Sequence, residues 1–291
     1  MRHPPFVGLL RNDEVQRAVQ SALAEDIGKG DVTTLATIPA SARARAVMKA
    51  RESLVPAGLF FAVAAFRELS PDAKIDLLVR DGQRVSADQD LLRVAGAARA
   101  ILSAERVALN FAQRLSGVAT LTAQFVAAIE GTRAKILDTR KTTPGWRRWE
   151  KYAVACGGGQ NHRVGLYDMV LIKYNHLAAL RDEKPNAIAA AVARARAHYS
   201  DLKIEVEADT LEQVGQAVDA GADIILLDNM SLDLLRRAVA LVAGRAQTEA
   251  SGGVNLATVR GIAETGVDLI SVGALTHSAR AVDIGLDFEN L

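Results

Sequence analysis

The sequence predicts an α/β protein whose larger part is built on parallel strands, and two observations carry that expectation. From residue 134 onward short apolar runs alternate with helical patterns. The strands fall at 134–137, 170–172, 203–206, 224–227, 248–250 and 269–272, and the helices at 186–199, 211–220, 232–243 and 256–265. Such alternation implies parallel strands joined by crossover helices, and six of these units can close into a barrel. The second observation is how the runs end. They lead into Asp138-Thr139-Arg140-Lys141, Lys173, Glu207, Asp228-Asn229, Ser251-Gly252-Gly253 and Gly273. Active sites of α/β barrels are assembled at the C-terminal strand ends, so these residues are expected to converge on one mouth.

The remainder of the chain reads differently. Residues 11–26 carry apolar positions at Val15, Ala18, Val19, Ala22 and Leu23, the spacing of one helix face. The glycines of Ile27-Gly28-Lys29-Gly30 then break the helix, either as a simple cap and loop or as a loop placed near a neighbouring active site. Between 42 and 102, strand-like runs at 46–50 and 75–79 alternate with turns around an apolar helix at 58–69. Asp81-Gly82 is a hairpin signal, within a stretch similar to swivelling β-domains but lacking their attachment lysine. A long helical region follows over 97–129, with a bend expected at Ser116-Gly117.

Composition limits the function. With 49% apolar and 24% charged residues and a net charge of +1, the 291-residue chain has a globular composition and lacks the basic excess of a bulk nucleic-acid binder. No apolar run is long enough for a membrane span, and MRHPPFVGLL lacks a secretory pattern. A single cysteine, Cys156, excludes an intrachain disulfide framework. The expectation is a cytoplasmic protein without nucleic-acid or membrane partners.

Positive charge is nevertheless concentrated. Within 138–176 seven Lys or Arg face three acids, a balance that calls for a small anion. Arg140, Arg163 and Lys173 suit carboxylates, since guanidinium offers a planar fork and ammonium a point charge. Lys173 has a Schiff-base alternative. Ser251-Gly252-Gly253-Val254-Asn255, late in a barrel, reads as a phosphate loop opening a helix, against the alternative of a plain N-cap turn, with Gly273 and His277 following the next strand. Glu207 and Asp228 end neighbouring strands. They suit sugar hydroxyls, Mg²⁺ or developing positive charge at an anomeric carbon, against the alternative of structural pairing with Lys141 and Lys173. Glu205 shares the face of Glu207 one strand period deeper and competes for its role. His162 and His176 read as hydrogen-bond donors, with an acid-base or metal role as the alternative though no third ligand has metal-site spacing; Cys156 reads as a packed thiol, and Trp146 and Trp149 as packing residues. Arg106, on the long helix, reads as an ordinary exposed helix charge.

The order and spacing of six segments resemble the quinolinate phosphoribosyltransferase family: EDIGKGDVTT (25–34), ERVALNFAQRLSG (105–117), DTRKTTPG (138–145), EKYAVACGGGQNHRVGLYDMVLIKYNH (150–176), LLDN (226–229) and VGALTHS (272–278). The resemblance implies an N-terminal α/β sandwich domain over 1–116 and an irregular, open TIM-like α/β barrel of fewer than eight strands over 117–279, the tail 280–291 returning to the first domain. It implies phosphoribosyl transfer to quinolinate with decarboxylation, giving nicotinate mononucleotide, with Mg²⁺ accompanying the diphosphate substrate and Glu207 and Asp228 as its candidate protein ligands. It also implies a homodimer, or a higher oligomer, in which Arg106 reaches quinolinate bound by the other subunit. Arg140, His162, Arg163 and Lys173 match the remaining quinolinate-binding positions. Lys141, Glu207, Asp228, Ser251, Gly252, Gly253, Gly273 and His277 match those around phosphoribosyl diphosphate, with Lys141, Glu207 and Asp228 as the catalytic set. A paralogue associated with molybdenum transport, a nicotinate phosphoribosyltransferase and a non-catalytic phosphate-binding barrel are the competing readings. The Arg140-Lys141-Thr142-Thr143-Pro144-Gly145 run together with Arg106 favours the dicarboxylate enzyme.

Overall fold

A computed structural model of the chain describes residues 11–289; the opening segment read for targeting signals lies outside them. The described residues form two compact units, one of residues 11–123, 145–158 and 279–289, the other of 124–144 and 159–278.

The first unit is a four-stranded antiparallel sheet with helices. Strands β1 (Arg43–Ala50), β2 (Lys74–Leu77), β3 (Asp90–Ala97) and β10 (Ile284–Phe288) lie in the order β10-β1-β3-β2. The C-terminal tail is therefore an edge strand, with Val47 opposite Asp287 and Ala50 opposite Ile284. Helix α1 (Asn12–Ile27) buries Val15, Val19 and Leu23, one residue per turn, and the left-handed Gly28 closes it. Asp31 accepts the Thr34 N–H at 3.0 Å and so caps α2 (Val32–Thr37). The stretch after α1 thus has a sufficient local explanation as cap and turn.

One expectation for this unit is corrected. Asp81-Gly82 does not close a tight hairpin: β2 and β3 do pair antiparallel, but residues 78–89 connect them. The Asp81 carboxylate instead turns inward, accepting the Gly58 N–H at 2.8 Å and the Tyr152 hydroxyl at 2.8 Å, which satisfies the start of α3 (Leu59–Leu69). At Ser116-Gly117, where a bend is expected, the helix is not broken: α4 (Ala98–Ala128) continues through it. There the buried Ser116 hydroxyl accepts the Ala57 N–H at 3.0 Å rather than disturbing its own helix. Helix α5 (Arg147–Cys156) belongs to this unit through an aromatic cluster in which Trp146 stacks on Phe111 and Trp149 meets Phe61 and Phe111 edge-on.

The second unit is the parallel one. Strands β4 (Lys135–Leu137), β5 (Val170–Ile172), β6 (Ile204–Ala208), β7 (Ile224–Asp228), β8 (Gln247–Ser251) and β9 (Leu269–Ser271) follow the order β4-β9-β8-β7-β6-β5. The two ends of this order do not pair, so the barrel is open; a return segment at Gln160 bridges the free edge of β4. Helices α6 (Tyr174–Ala178), α7 (Ala187–His198), α8 (Leu211–Asp219), α9 (Leu232–Val242), α10 (Val259–Ala263) and α11 (Ala274–His277) alternate with the strands. Ser231, Thr210 and Asn186 cap α9, α8 and α7 with side-chain oxygens. Register places Glu207 beside Leu226, Leu226 beside Glu249 and Asp228 beside Ser251. Deeper in the strands Leu137, Ile224 and Leu269 form a buried apolar plug with Met169 against it.

Candidate active site

At the C-terminal ends of these strands the second unit has a cavity of about 750 Å³. β4 delivers Arg140 and Lys141, and the return segment beside it delivers His162 and Arg163. Lys173 comes from the end of β5, Glu207 from β6 and Asp228 from β7. The Ser251 to Gly253 turn follows β8, and Gly273 and His277 follow β9. All twelve side chains or turns expected from this part of the chain therefore line one cavity.

Buried Asp138 organises the basic wall. Its Oδ1 accepts the His162 N–H at 2.8 Å and its Oδ2 accepts from the Asn161 side-chain amide, while the Asp138 N–H donates to Gln160 O at 3.1 Å. Arg140 and Arg163 stand close enough that Arg140 lowers the proton affinity of Arg163, after burial, which is the larger cause. Arg163 donates to Met169 O at 3.2 Å, and the buried Arg140 Nε has no partner among the described residues. Two guanidiniums brought together with donors unspent make a site for an anion.

The acidic side is only partly neutralised. Lys173 Nζ lies 3.5 Å from Glu207 Oε2, and Glu207 Oε1 accepts the Tyr174 N–H at 3.1 Å. Asp228 accepts from Asn229 Nδ2 at 2.7 Å, and its carboxyl is pushed up by burial first and by the charge of Glu207 second. The expected alternative of salt bridging is thus met for Lys173, whereas Lys141 has no ion pair among the described residues and extends exposed from its loop.

Close approach bears on glycine at two positions, decisively at the first. At Gly252, with φ +96°, a Cβ would lie 2.1 Å from Asn229 Oδ1. At Gly273 a Cβ would lie 3.0 Å from Lys141 Cδ and 3.1 Å from His277 Nε2, so its absence lets both side chains lean over the strand end. The helix expected at 256–265 is shorter. α10 starts at Val259, and Asn255 Oδ1 accepts the Ala257 and Thr258 N–H groups at 3.0 and 3.1 Å. The glycine turn therefore leads into a side-chain-capped turn and not directly into a helix N-terminus.

The two histidines differ. His176 Nδ1 accepts the Lys173 N–H at 2.9 Å within α6 and has a local capping role. His162 points both ring nitrogens into the protein: Nδ1 accepts the Arg163 N–H at 2.8 Å and Nε2 lies 3.0 Å from Glu205 Oε2. Glu249, which sequence reasoning passed over, lines the cavity from β8. Its inward direction follows from the strand period, since it stands two residues before Ser251. Arg106 lies exposed on α4 in the first unit. Cys156 is buried, with its thiol pushed up to about 12 by burial first and the Asp81 charge second, and is a packed, unreactive thiol.

Two family models match the chain in series, the N-terminal domain of quinolinate phosphoribosyl transferase over residues 31–116 and its C-terminal domain over 118–287. The chain belongs to the quinolinate phosphoribosyltransferase family. It is 43% identical over 281 residues to the nicotinate-nucleotide pyrophosphorylase (carboxylating) of Mycobacterium leprae, covering 94% of this chain and 97% of that one. It is 42% identical to the chloroplastic enzyme of that name from Oryza sativa subsp. japonica, over 95% of this chain and 78% of the relative. The nicotinate-nucleotide pyrophosphorylase structure from Francisella tularensis superposes with a TM-score of 0.90 at 41% identity, over 96% of this chain and 98% of that one. The two-part family organisation accounts for an antiparallel unit and an open parallel barrel in one chain. The division between the family models falls inside α4, whose first part packs in one unit and whose end belongs to the other.

Proposed function

We propose that the protein transfers a phosphoribosyl group from phosphoribosyl diphosphate to quinolinate and decarboxylates the product, yielding nicotinate mononucleotide, CO₂ and pyrophosphate on the route to NAD. The observation that carries this reading is the pair Arg140 and Arg163, adjacent, partly buried and in no salt bridge among the described residues, with Glu205 and Asp168 as the more distant counter-charges of Arg163. A pyridine dicarboxylate supplies two planar anions to such forks. The glycine turns at Gly252 and Gly273, with Lys141 and His277 beside them, suit the phosphates of the second substrate.

The chemistry assigns each side of the cavity a task. The C1–O bond to pyrophosphate breaks as the pyridine nitrogen approaches C1, and positive charge develops on the ribose. Glu207 and Asp228 face that charge as carboxylates, while Lys141 answers the negative charge gathering on the leaving group. The C2–carboxylate bond then breaks; CO₂ departs, the electron pair stays at C2 and is taken up by a proton. Arg140, Arg163 and Lys173 hold the ring and favour a negative C2. Glu207 and Asp228 would hold any Mg²⁺ that accompanies the diphosphate substrate, where it would reduce the charge of that group. We assign Arg106 to quinolinate bound by a second copy of the chain, in a homodimer; its exposure on α4 and the exposed apolar Val32 and Leu35 on α2 support that assignment.

Incubation with quinolinate, phosphoribosyl diphosphate and Mg²⁺ should release nicotinate mononucleotide and CO₂ in equal amounts. No turnover by the folded protein would sink the reading, and turnover of nicotinate in place of quinolinate would assign it to the non-decarboxylating reaction.

A further inference from the structure

Strand β7 ends at Asp228, and strand alternation would turn the next residue, Asn229, away from the face that carries that carboxylate. Instead the Asn229 backbone takes φ +52°, in the left-handed region. Of the three non-glycine residues with positive φ among the described residues, it alone lines the cavity at the parallel strand ends. Its N–H still donates to Ser251 O at 2.9 Å, so the pairing of β7 with β8 is held one residue past Asp228.

The left-handed turn brings the side chain back beside its neighbour. Nδ2 donates to Asp228 Oδ2 at 2.7 Å, which fixes the orientation of the amide, because a carboxylate accepts and only the nitrogen can donate to it. Oδ1 then stands where a Cβ of Gly252 would have to be, so the amide fills the gap between Asp228 and the glycine turn. Among the described residues this is the one hydrogen bond that reaches the Asp228 carboxylate, and Lys173 pairs with Glu207 instead. The position asks for two properties at once. Glycine enters the left-handed region but has no amide, Asp enters it but brings an acceptor and a further negative charge beside Asp228, and Ala offers neither property.

We propose that Asn229 is a positioning residue that braces the Asp228 carboxylate against the Gly252 turn, so that the group facing the ribose and the turn receiving phosphate keep one fixed spacing. The kinetic consequences rest on the function proposed above; the geometry does not.

Asn229→Gly keeps the left-handed backbone and removes the amide, whereas Asn229→Asp keeps the shape and reverses the polarity. Both should fold and lose kcat, the Gly variant by roughly 10- to 100-fold, the worth of one hydrogen bond to a charged group, and the Asp variant by more. KM for quinolinate should stay within about twofold, because Arg140 hangs from β4, which β9 and β8 separate from β7. Gly252→Ala drives a Cβ into the amide and breaks the same brace, so its loss in kcat and that of Asn229→Gly should combine to less than their sum in free energy. Additive losses would overturn the proposal. A Gly variant with wild-type kcat would also overturn it, by showing that the position needs only its backbone conformation, and so would a matching rise in KM for quinolinate, the mark of a generally loosened cavity. Crystal structures of the wild type and the Gly variant read the geometry without turnover: Asp228 is expected in one rotamer beside Asn229 and displaced or split without it. An unmoved Asp228 would refute the brace. An inactive wild type whose Asp228 moves in the expected way would count against the functional reading and for Asn229 as a positioning residue.

Discussion

Arg140 illustrates how much a single side chain carries. Its buried Nε is unpartnered among the described residues, and Arg163 beside it is charged against both burial and a like neighbour. Arg140→Lys keeps the charge but loses the planar fork, so it should raise KM for quinolinate roughly 10- to 100-fold, the worth of one charge-assisted hydrogen bond, and leave KM for phosphoribosyl diphosphate within about twofold. Steady-state kinetics with each substrate varied in turn checks this; equal effects on both would remove Arg140 from the dicarboxylate wall. The strand-end residues were legible in the sequence because their chemical type changes abruptly where an apolar run stops, as at Ile172-Lys173 and Leu227-Asp228. Glu249 was not, although the alternation that links Glu205 to Glu207 also leads from Ser251 back to Glu249. Asp138 was legible only as a strand end. Its work depends on residues 160–162 returning beside β4, a contact that no local pattern announces.

Among the elements, the strands of the parallel unit were legible to within a residue or two, because strands covered by helices on one side and a plugged interior on the other read as apolar runs. Where a polar residue spends its hydrogen bonds on another element, legibility failed, as with Asp81 at the start of α3 and Ser116 at Ala57. The return of β10 is held in the same nonlocal way. Glu52 accepts from both the Arg280 guanidinium and the Asp283 N–H, the latter at 2.8 Å, and its carboxyl is lowered to about 2, with the Arg280 hydrogen bond as the largest cause. A depressed carboxyl contributes stability that is fully present above the unfolded value of 4.5 and is lost as pH falls through about 2. Glu52→Gln should therefore lower stability by about 1 kcal/mol at neutral pH, after discount for solvent screening, and by progressively less as the medium is acidified below about pH 4. Paired urea melts of the two proteins across that range read the difference. A gap that is constant with pH would show that the Glu52 charge contributes nothing to docking the C-terminal strand.

At the scale of the whole molecule, the chain supplies the cavity at its parallel strand ends and an exposed Arg106, and the proposed dimer pairs each such cavity with the arginine of the other copy. That arrangement has a stoichiometric consequence. In Arg106→Ala the cavity is intact but the arginine given to the partner is missing, and in Lys141→Ala the reverse holds; each homodimer should be nearly inactive. A hybrid of the two contains one site with both groups intact and one with neither. If subunits exchange at random from an equal mixture, half of the dimers are hybrids with one working site of two, so about a quarter of wild-type activity should return. Dissociation in mild denaturant, dilution and assay of the mixture measure this, with the separately treated variants as controls. A mixture that forms hybrids by native mass spectrometry yet stays inactive would assign Arg106 and Lys141 to the same subunit's site. Recovery with Arg163→Ala in place of Lys141→Ala should match, because the restored site draws every cavity residue from one chain and only Arg106 from the other.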